Sequence, residues 1–432
     1  MKIDRRYLRP EKAILHAKMY EGFEKKDAPV SEIYKNAEIV PAVRFDEDGD
    51  SLMFGRGGLF AEDGAYVEAS GIEARIGGFY EHQKGDFSDE KVVYCGYFAR
   101  GWGHFLLESV SRLWYALKDD PTVDAYVFIT GESGPVDIVN GNFHEFFRFL
   151  GIADRVRIIN RPMRYREVIL PGLSYSFNHF YTEQYTALLD KVAKEALKES
   201  DGRSDLPERV FLSRRHAYDK KHFYGGERYR EYGLDMLDDY FERNSFHIVY
   251  PERVTLSELI TLLYHAKTVA TESGSCAHNL LFMPNASENM IIIERHALGN
   301  DYQANIDCLR DFSVCYVDAC YALYPLDAFG GPFILMYTDC FRRFTEENGY
   351  LPPSDRYLSD RNKKKAIRWY IWLYRHLYGD RIFMTTEILP WGPAFIEIND
   401  ETAEVFDRWL NPPLRRFIHR LYERLGYRKA VL

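Results

Sequence analysis

Lys267 to Ile293 reads KTVATESGSCAHNLLFMPNASENMIII. The apolar run Lys267–Thr271 breaks at Glu272-Ser273-Gly274-Ser275 and resumes as a helix through Cys276–Phe282. It then passes Pro284 and ends in the apolar run Met290–Ile293. Short apolar runs bounded by turn residues are the mark of buried strands, so the stretch predicts strand, turn, helix, strand. Working upstream, Thr255–His265 predicts a helix that opens with a Thr255-x-x-Glu258 capping box. His247–Tyr250 predicts a strand, Tyr229–Arg243 a helix and Val210–Leu212 a strand. The result is a β-α-β-α-β-α-β run, the pattern of a doubly wound, nucleotide-binding α/β unit.

An earlier α/β segment has the same alternation. Val92–Tyr94, Ala125–Ile129, Val156–Ile159 and Glu167–Leu170 predict strands, and Gly101–Leu117 and Phe143–Leu150 predict helices. Before about Gly85, FDEDGDS, FAEDGAYVEASG and RIGGFYEH suggest hairpins more than helices. Lys191–Pro207 looks like a helix running into a linker. The expected organisation is an N-terminal domain over 1–200, made of a β-rich lead-in 1–87 and an α/β part 88–200. A C-terminal domain over 208–325 and a helical extension over 326–432 follow.

Composition narrows the class. A chain of 432 residues with 46% hydrophobic and 16% aromatic content is globular and long enough for two domains. The start, MKIDRRYLRPEKAILHAK, lacks the apolar run of a secretory signal, and no stretch of about eighteen apolar residues occurs, which predicts a cytoplasmic protein. Six cysteines without a CxxC pair predict buried free thiols and no structural zinc. Residues 341–432 hold 17 Lys+Arg against 12 Asp+Glu, whereas the whole chain carries −9. The large acidic part argues against nucleic acid as a partner. The tail's basic aromatic segments Arg361–Tyr378 and Leu414–Leu425 are expected either to strap the domains together or to touch anionic lipid peripherally, at the inner face of the plasma membrane.

Ligands of open α/β sheets bind beyond the carboxyl ends of strands. Ser213-Arg214-Arg215 follows one strand, and a pair of planar guanidinium groups suits a diphosphate. Glu272-Ser273-Gly274-Ser275 follows another, where small residues opening a helix present N–H groups to an anion. Neither a P-loop, a G-x-G-x-x-G turn nor a G-x-S-x-G elbow occurs, against kinase, dehydrogenase and esterase chemistry. In Gly101–Leu117, His104, Glu108 and Arg112 recur every fourth residue, opposite an apolar face and behind a Gly101-Trp102-Gly103 entry. The plain alternative is a surface charge ladder. Asp238-Asp239 falls inside a predicted helix and is expected to be solvated.

The order of these motifs resembles glycosyltransferase family 61. The resemblance rests on Ser213-Arg214-Arg215, Pro251-Glu252 with Leu256 and Glu258, Gly274-Ser275, Asn279, and Leu281-Phe282-Met283-Pro284. Upstream it rests on His104, Glu108, Arg112 and Leu113. Departures surround the donor pocket: Ser273 stands where many members have His, Arg230-Glu231 replaces an Asn-Glu pair, and His278 replaces a Thr. The resemblance implies a GT-B-like fold of two Rossmann-like, doubly wound domains facing across a cleft, and an inverting transferase. Its substrate would be a nucleotide sugar, UDP-linked, with neither cofactor nor metal, because arginines replace the cation. Glu108 or His104, or the two together, would act as the base, and Trp102 and Arg112 would lie on the acceptor side. Ser213, Arg214, Arg215, Glu272, Ser273, Gly274, Ser275 and Asn279 would hold the donor. The implied acceptor is a glycan or lipid-linked glycan of bacterial surface or capsular polysaccharide assembly. Two alternatives stand beside it: a non-catalytic sugar-nucleotide-binding subunit, and a phosphoryl-transfer or hydrolytic enzyme using the same cradle.

Overall fold

The computed structural model describes residues 1–43, 56–71, 84–130, 141–200, 205–216, 231–283, 289–296, 299–321, 333–366 and 369. They form a mixed α/β structure around two six-stranded sheets.

The second sheet is parallel throughout. Its order is Lys2–Tyr7, Ser313–Asp318, Asn289–Glu294, Thr268–Glu272, Arg209–Leu212, His247–Val249. Taken in chain order, its last five strands run 2-1-3-4-5, so the winding reverses between Arg209–Leu212 and Thr268–Glu272. Side-chain alternation explains why both faces are covered. Val210, Leu212, Val269 and Ile292 pack against the helix Leu256–His265 on one face. Phe211, Ala270, Ile291 and Ile293 pack against Leu234–Arg243 and Asp339–Glu347 on the other. Thr255 and Glu258 form both bonds of the expected capping box.

The first sheet is mixed, in the order Arg56–Phe60, Ser31–Val43, Met163–Pro171, Asp86–Tyr97, Ala125–Ile129, Val156–Ile159. Its last four strands are parallel, and the first two pair antiparallel. One continuous apolar core joins the two sheets. It includes Phe105, Leu106 and Leu107, Phe146 and Phe147, Leu188 and Val192, Leu259 and Leu263, and Leu280 and Phe282.

Several expectations are corrected. The lead-in is not all hairpin: Lys2–Tyr7 is an edge strand of the second sheet, and Pro10–Lys18 is a helix. That helix carries a buried Lys12, whose Nζ meets Glu294 at 3.4 Å and Asp318 at 3.2 Å. Gly101–Leu117 is not one helix. An α-helix spans Trp102–Leu107, and a 3-10 helix spans Ser109–Lys118. The Tyr185 hydroxyl donates to the Leu106 carbonyl and Ser174 donates to that of Ser111, so distant groups take carbonyls that a longer α-helix would have used. Tyr229–Arg243 begins in its described part with a short strand, Glu231–Tyr232, paired with Phe333–Ile334. Gly233, at φ +97°, then turns the chain into the helix Leu234–Arg243. Cys276–Phe282 is a six-residue 3-10 helix, Ala277–Phe282, too short for an α-helix dipole.

Beyond the expected elements, a helix Asp301–Arg310, capped by Asn300, leads into the strand Ser313–Asp318. Of the basic tail segments, Leu414–Leu425 lies outside the described residues, as does Arg361–Tyr378 apart from 361–366 and 369. Among the described residues no helix is long and apolar enough to cross a membrane. All six cysteines are thiols, with Cys95, Cys276 and Cys320 buried.

Candidate functional site

The reversal of winding leaves a crevice position beyond Leu212 and Glu272, and two acids and two guanidinium groups converge there. Successive residues point to opposite sides, and the adjacent arginines separate accordingly. Arg214 turns inward and is buried. Its Nε lies 3.2 Å from Glu231 Oε1 and 3.9 Å from Glu272 Oε2, and its Nη1 donates to Ser275 Oγ at 3.0 Å. Arg215 turns away, half-exposed, and donates to Asp238 at 3.3 Å. Asp238 also accepts from the Tyr250 hydroxyl and is buried, while Asp239 accepts from the Ser354 amide at 2.8 Å. Neither aspartate is the solvated group that the sequence suggested.

The partner of Arg214 in the cluster is Arg295, which the sequence reading did not single out. Its Nη1 bonds to Glu231 and its Nε donates to the Ser273 carbonyl at 2.6 Å. Parallel pairing brings it there, since Glu272 stands opposite Ile293, two residues before Arg295. Gly274 has φ +119°, and a Cβ at that position would lie 2.6 Å from Arg295 Nη2. Ser213 is fully buried, and its Oγ accepts from the Arg215 amide. Ser273 Oγ accepts from the Arg295 amide. Burial, and after it the neighbouring Glu231, push Glu272 well above the usual carboxylate range, more than Arg214 and Arg295 lower it. Two guanidinium groups and two carboxyl groups thus meet in one buried cluster, with the Glu272 carboxyl the more readily protonated for its burial beside Glu231.

Across from this cluster, the helix Trp102–Leu107 ends at Glu108. His104 Nδ1 lies 2.9 Å from Glu108 Oε1, as the four-residue spacing allows. Glu108 is buried and also accepts, at the same oxygen, from the Tyr302 hydroxyl at 2.9 Å. Tyr302 stacks on Phe177 with ring centroids 4.1 Å apart. Tyr302 was not read from the sequence, where nothing in DYQANIDCLR sets it apart.

The two halves meet directly. A Cβ on Gly103 would lie 2.5 Å from His278 Nδ1 and 2.8 Å from Ser275 Cβ, so only glycine lets this helix sit on the turn. Trp102 Nε1 donates to Asn279 Oδ1 at 2.8 Å, and the indole stacks on Phe105 and Phe282. Trp102 and Asn279 therefore act together as a strut between the sheets. Arg112 is not part of the His104–Glu108 stripe. The 3-10 twist buries it, and its guanidinium donates to the carbonyls of Pro171, Ala69 and Gly71. Burial lowers it to about 10. With Nη1 and Nη2 bonded to these loop carbonyls, Arg112 serves the scaffold of the first sheet.

Comparison with known families adds one result. Residues 102–290 match the family model described as Glycosyltransferase 61. The match takes in His104, Glu108, Arg214 and the Ser273–Ser275 turn, and stops before Arg295 and Tyr302. No curated protein matches the chain.

Proposed function

The chain belongs to glycosyltransferase family 61, and on that premise we propose that it moves a sugar from a nucleotide-sugar donor, UDP-linked, to a glycan or lipid-linked glycan. Transfer proceeds with inversion and without a metal. In this reading the two sheets are the two Rossmann-like lobes of a GT-B arrangement. Arg214 and Arg295 take the donor's diphosphate, while Glu231 and Glu272 hold the two guanidinium groups in place beforehand. Arg215, committed to Asp238, stands outside the cradle.

On the other side, His104 is the base and Glu108 orients it. His104 is partly exposed, whereas Glu108 lies buried beneath Tyr302 and His104. The acceptor oxygen attacks the anomeric carbon and passes its proton to the imidazole. The bond from that carbon to the diphosphate oxygen breaks, its electron pair leaves with the diphosphate, and the guanidinium groups neutralise the charge. The single observation that carries this reading is the Gly103 contact with His278 and Ser275, which sets dyad and cradle side by side. Surface or capsular polysaccharide assembly at the inner membrane face is the setting proposed for it.

A thermal-shift screen across nucleotide sugars, followed by assay of nucleoside diphosphate release with and without acceptor, tests the proposal. A raised melting temperature together with release is expected. A screen in which no nucleotide sugar stabilises the chain contradicts it, and stabilisation without release favours the non-catalytic binding subunit.

A further inference from the structure

His278 has no part in the mechanism above, yet it occupies the junction on which that mechanism depends. Its imidazole is buried. No hydrogen bond of normal geometry reaches either ring nitrogen from the described residues, and the Gly103 backbone lies against Nδ1. Burial, with the neighbouring His104 and arginines, pushes it down to about 3, so the ring is neutral. A buried imidazole with one backbone neighbour for its two nitrogens weakens a fold, and an apolar side chain would pack at least as well there. Its position suggests what it is for. On one side lies Ser275, which takes a bond from Arg214, and on the other lies Gly103, which leads into His104. The rings of His278 and His104 sit 5.9 and 5.7 Å from that of Tyr302.

In a donor bound as proposed above, the group between the diphosphate and the base is the transferred sugar. We infer that His278 reads that sugar: its neutral imidazole, with one N–H donor and one nitrogen acceptor, hydrogen-bonds hydroxyl groups of the donor's sugar ring. The Gly103 backbone, which leads into His104, and Ser275, which accepts from Arg214, meet at the ring, so a sugar bound there displaces the Gly103 backbone. A site that bonds a hydroxyl discriminates strongly against a sugar lacking it, because the buried ring is then left unpaired. His278 is thus a specificity-determining residue for sugars that carry a hydroxyl where the ring can reach it.

The inference rests on the reading of the site as a nucleotide-sugar cradle, and the test separates the two. The probes are a nucleoside diphosphate and its matching nucleoside diphosphate sugar, chosen as the pair that most raises the wild-type melting temperature. Calorimetry then gives Kd for both in wild type, His278→Ala and His278→Asn. The expected result is nucleotide-sugar binding about tenfold weaker or more in His278→Ala, with nucleoside diphosphate binding unchanged. His278→Asn, which keeps a donor and an acceptor, recovers part of the loss, and it carries the test if His278→Ala fails to fold. Equal weakening of both probes, or of neither, overturns the role of His278 alone. A wild-type chain that binds neither probe overturns the cradle reading and this inference with it.

Discussion

The dyad on the first sheet's helix and the charge cluster at the second sheet's reversal point are built in opposite ways. His104 and Glu108 stand four residues apart on one short element, and the His104 side chain is 39% exposed. Arg214, Glu231, Glu272 and Arg295 come from four separate segments, and none of their side chains is more than 8% exposed. The difference follows from the tasks. A proton acceptor has to meet a substrate arriving from solvent, so partial exposure suits it. A cradle for a diphosphate acts best where the dielectric is low, but bare guanidinium groups are costly to bury. Two acids, Glu231 and Glu272, resolve that conflict by pairing with the two guanidinium groups.

Removing charges sharpens the contrast most. Arg214→Ala is expected to lower stability by about 3 kcal/mol, near the lower end for breaking a buried pair because Arg295 remains on Glu231, and to abolish donor binding. Arg215→Ala, on a half-exposed pair, should cost no more than about 1 kcal/mol and leave donor binding intact. Chemical denaturation and donor titration of the two variants check this, and equal losses would erase the distinction between the arginines.

A smaller effect is expected where the two regions touch. Gly103→Ala drives a methyl group into His278 and Ser275 and should cost about 1–3 kcal/mol, with loss of turnover. Gly101→Ala is its control, because a Cβ there meets only the His104 side chain, at 3.3 Å, and a φ of −75° suits alanine. Similar melting temperatures for the two variants would show that the junction tolerates separation.

The smallest effect concerns Tyr302. Tyr302→Phe keeps the stack on Phe177 and removes one hydrogen bond to a carboxylate, about 1.5 kcal/mol. Turnover should fall about tenfold with donor affinity unchanged. Unchanged turnover would remove Tyr302 from the dyad's support.

What was legible in the sequence was local. The apolar runs at Val210–Leu212 and Met290–Ile293, the Thr255–Glu258 capping box and the four-residue step from His104 to Glu108 are each set within a few positions. What was not legible depends on distant partners. Arg295 joins Arg214 only through the register of two parallel strands, and Lys2–Tyr7 finds its place only beside Ser313–Asp318. The 3-10 stretch after Glu108 follows from Tyr185 and Ser174 taking carbonyls. That in turn commits Arg112 to loop carbonyls, where spacing alone had put it in line with the dyad.

The most direct measurement of the central claim is the turnover of Glu108→Gln under saturating nucleotide sugar, with donor binding followed in the same preparation. The account predicts donor affinity within about twofold of wild type and a turnover lower by about 10² or more. Full turnover with normal binding would contradict it, because the group facing the cradle across the Gly103 junction would then have no part in the chemistry.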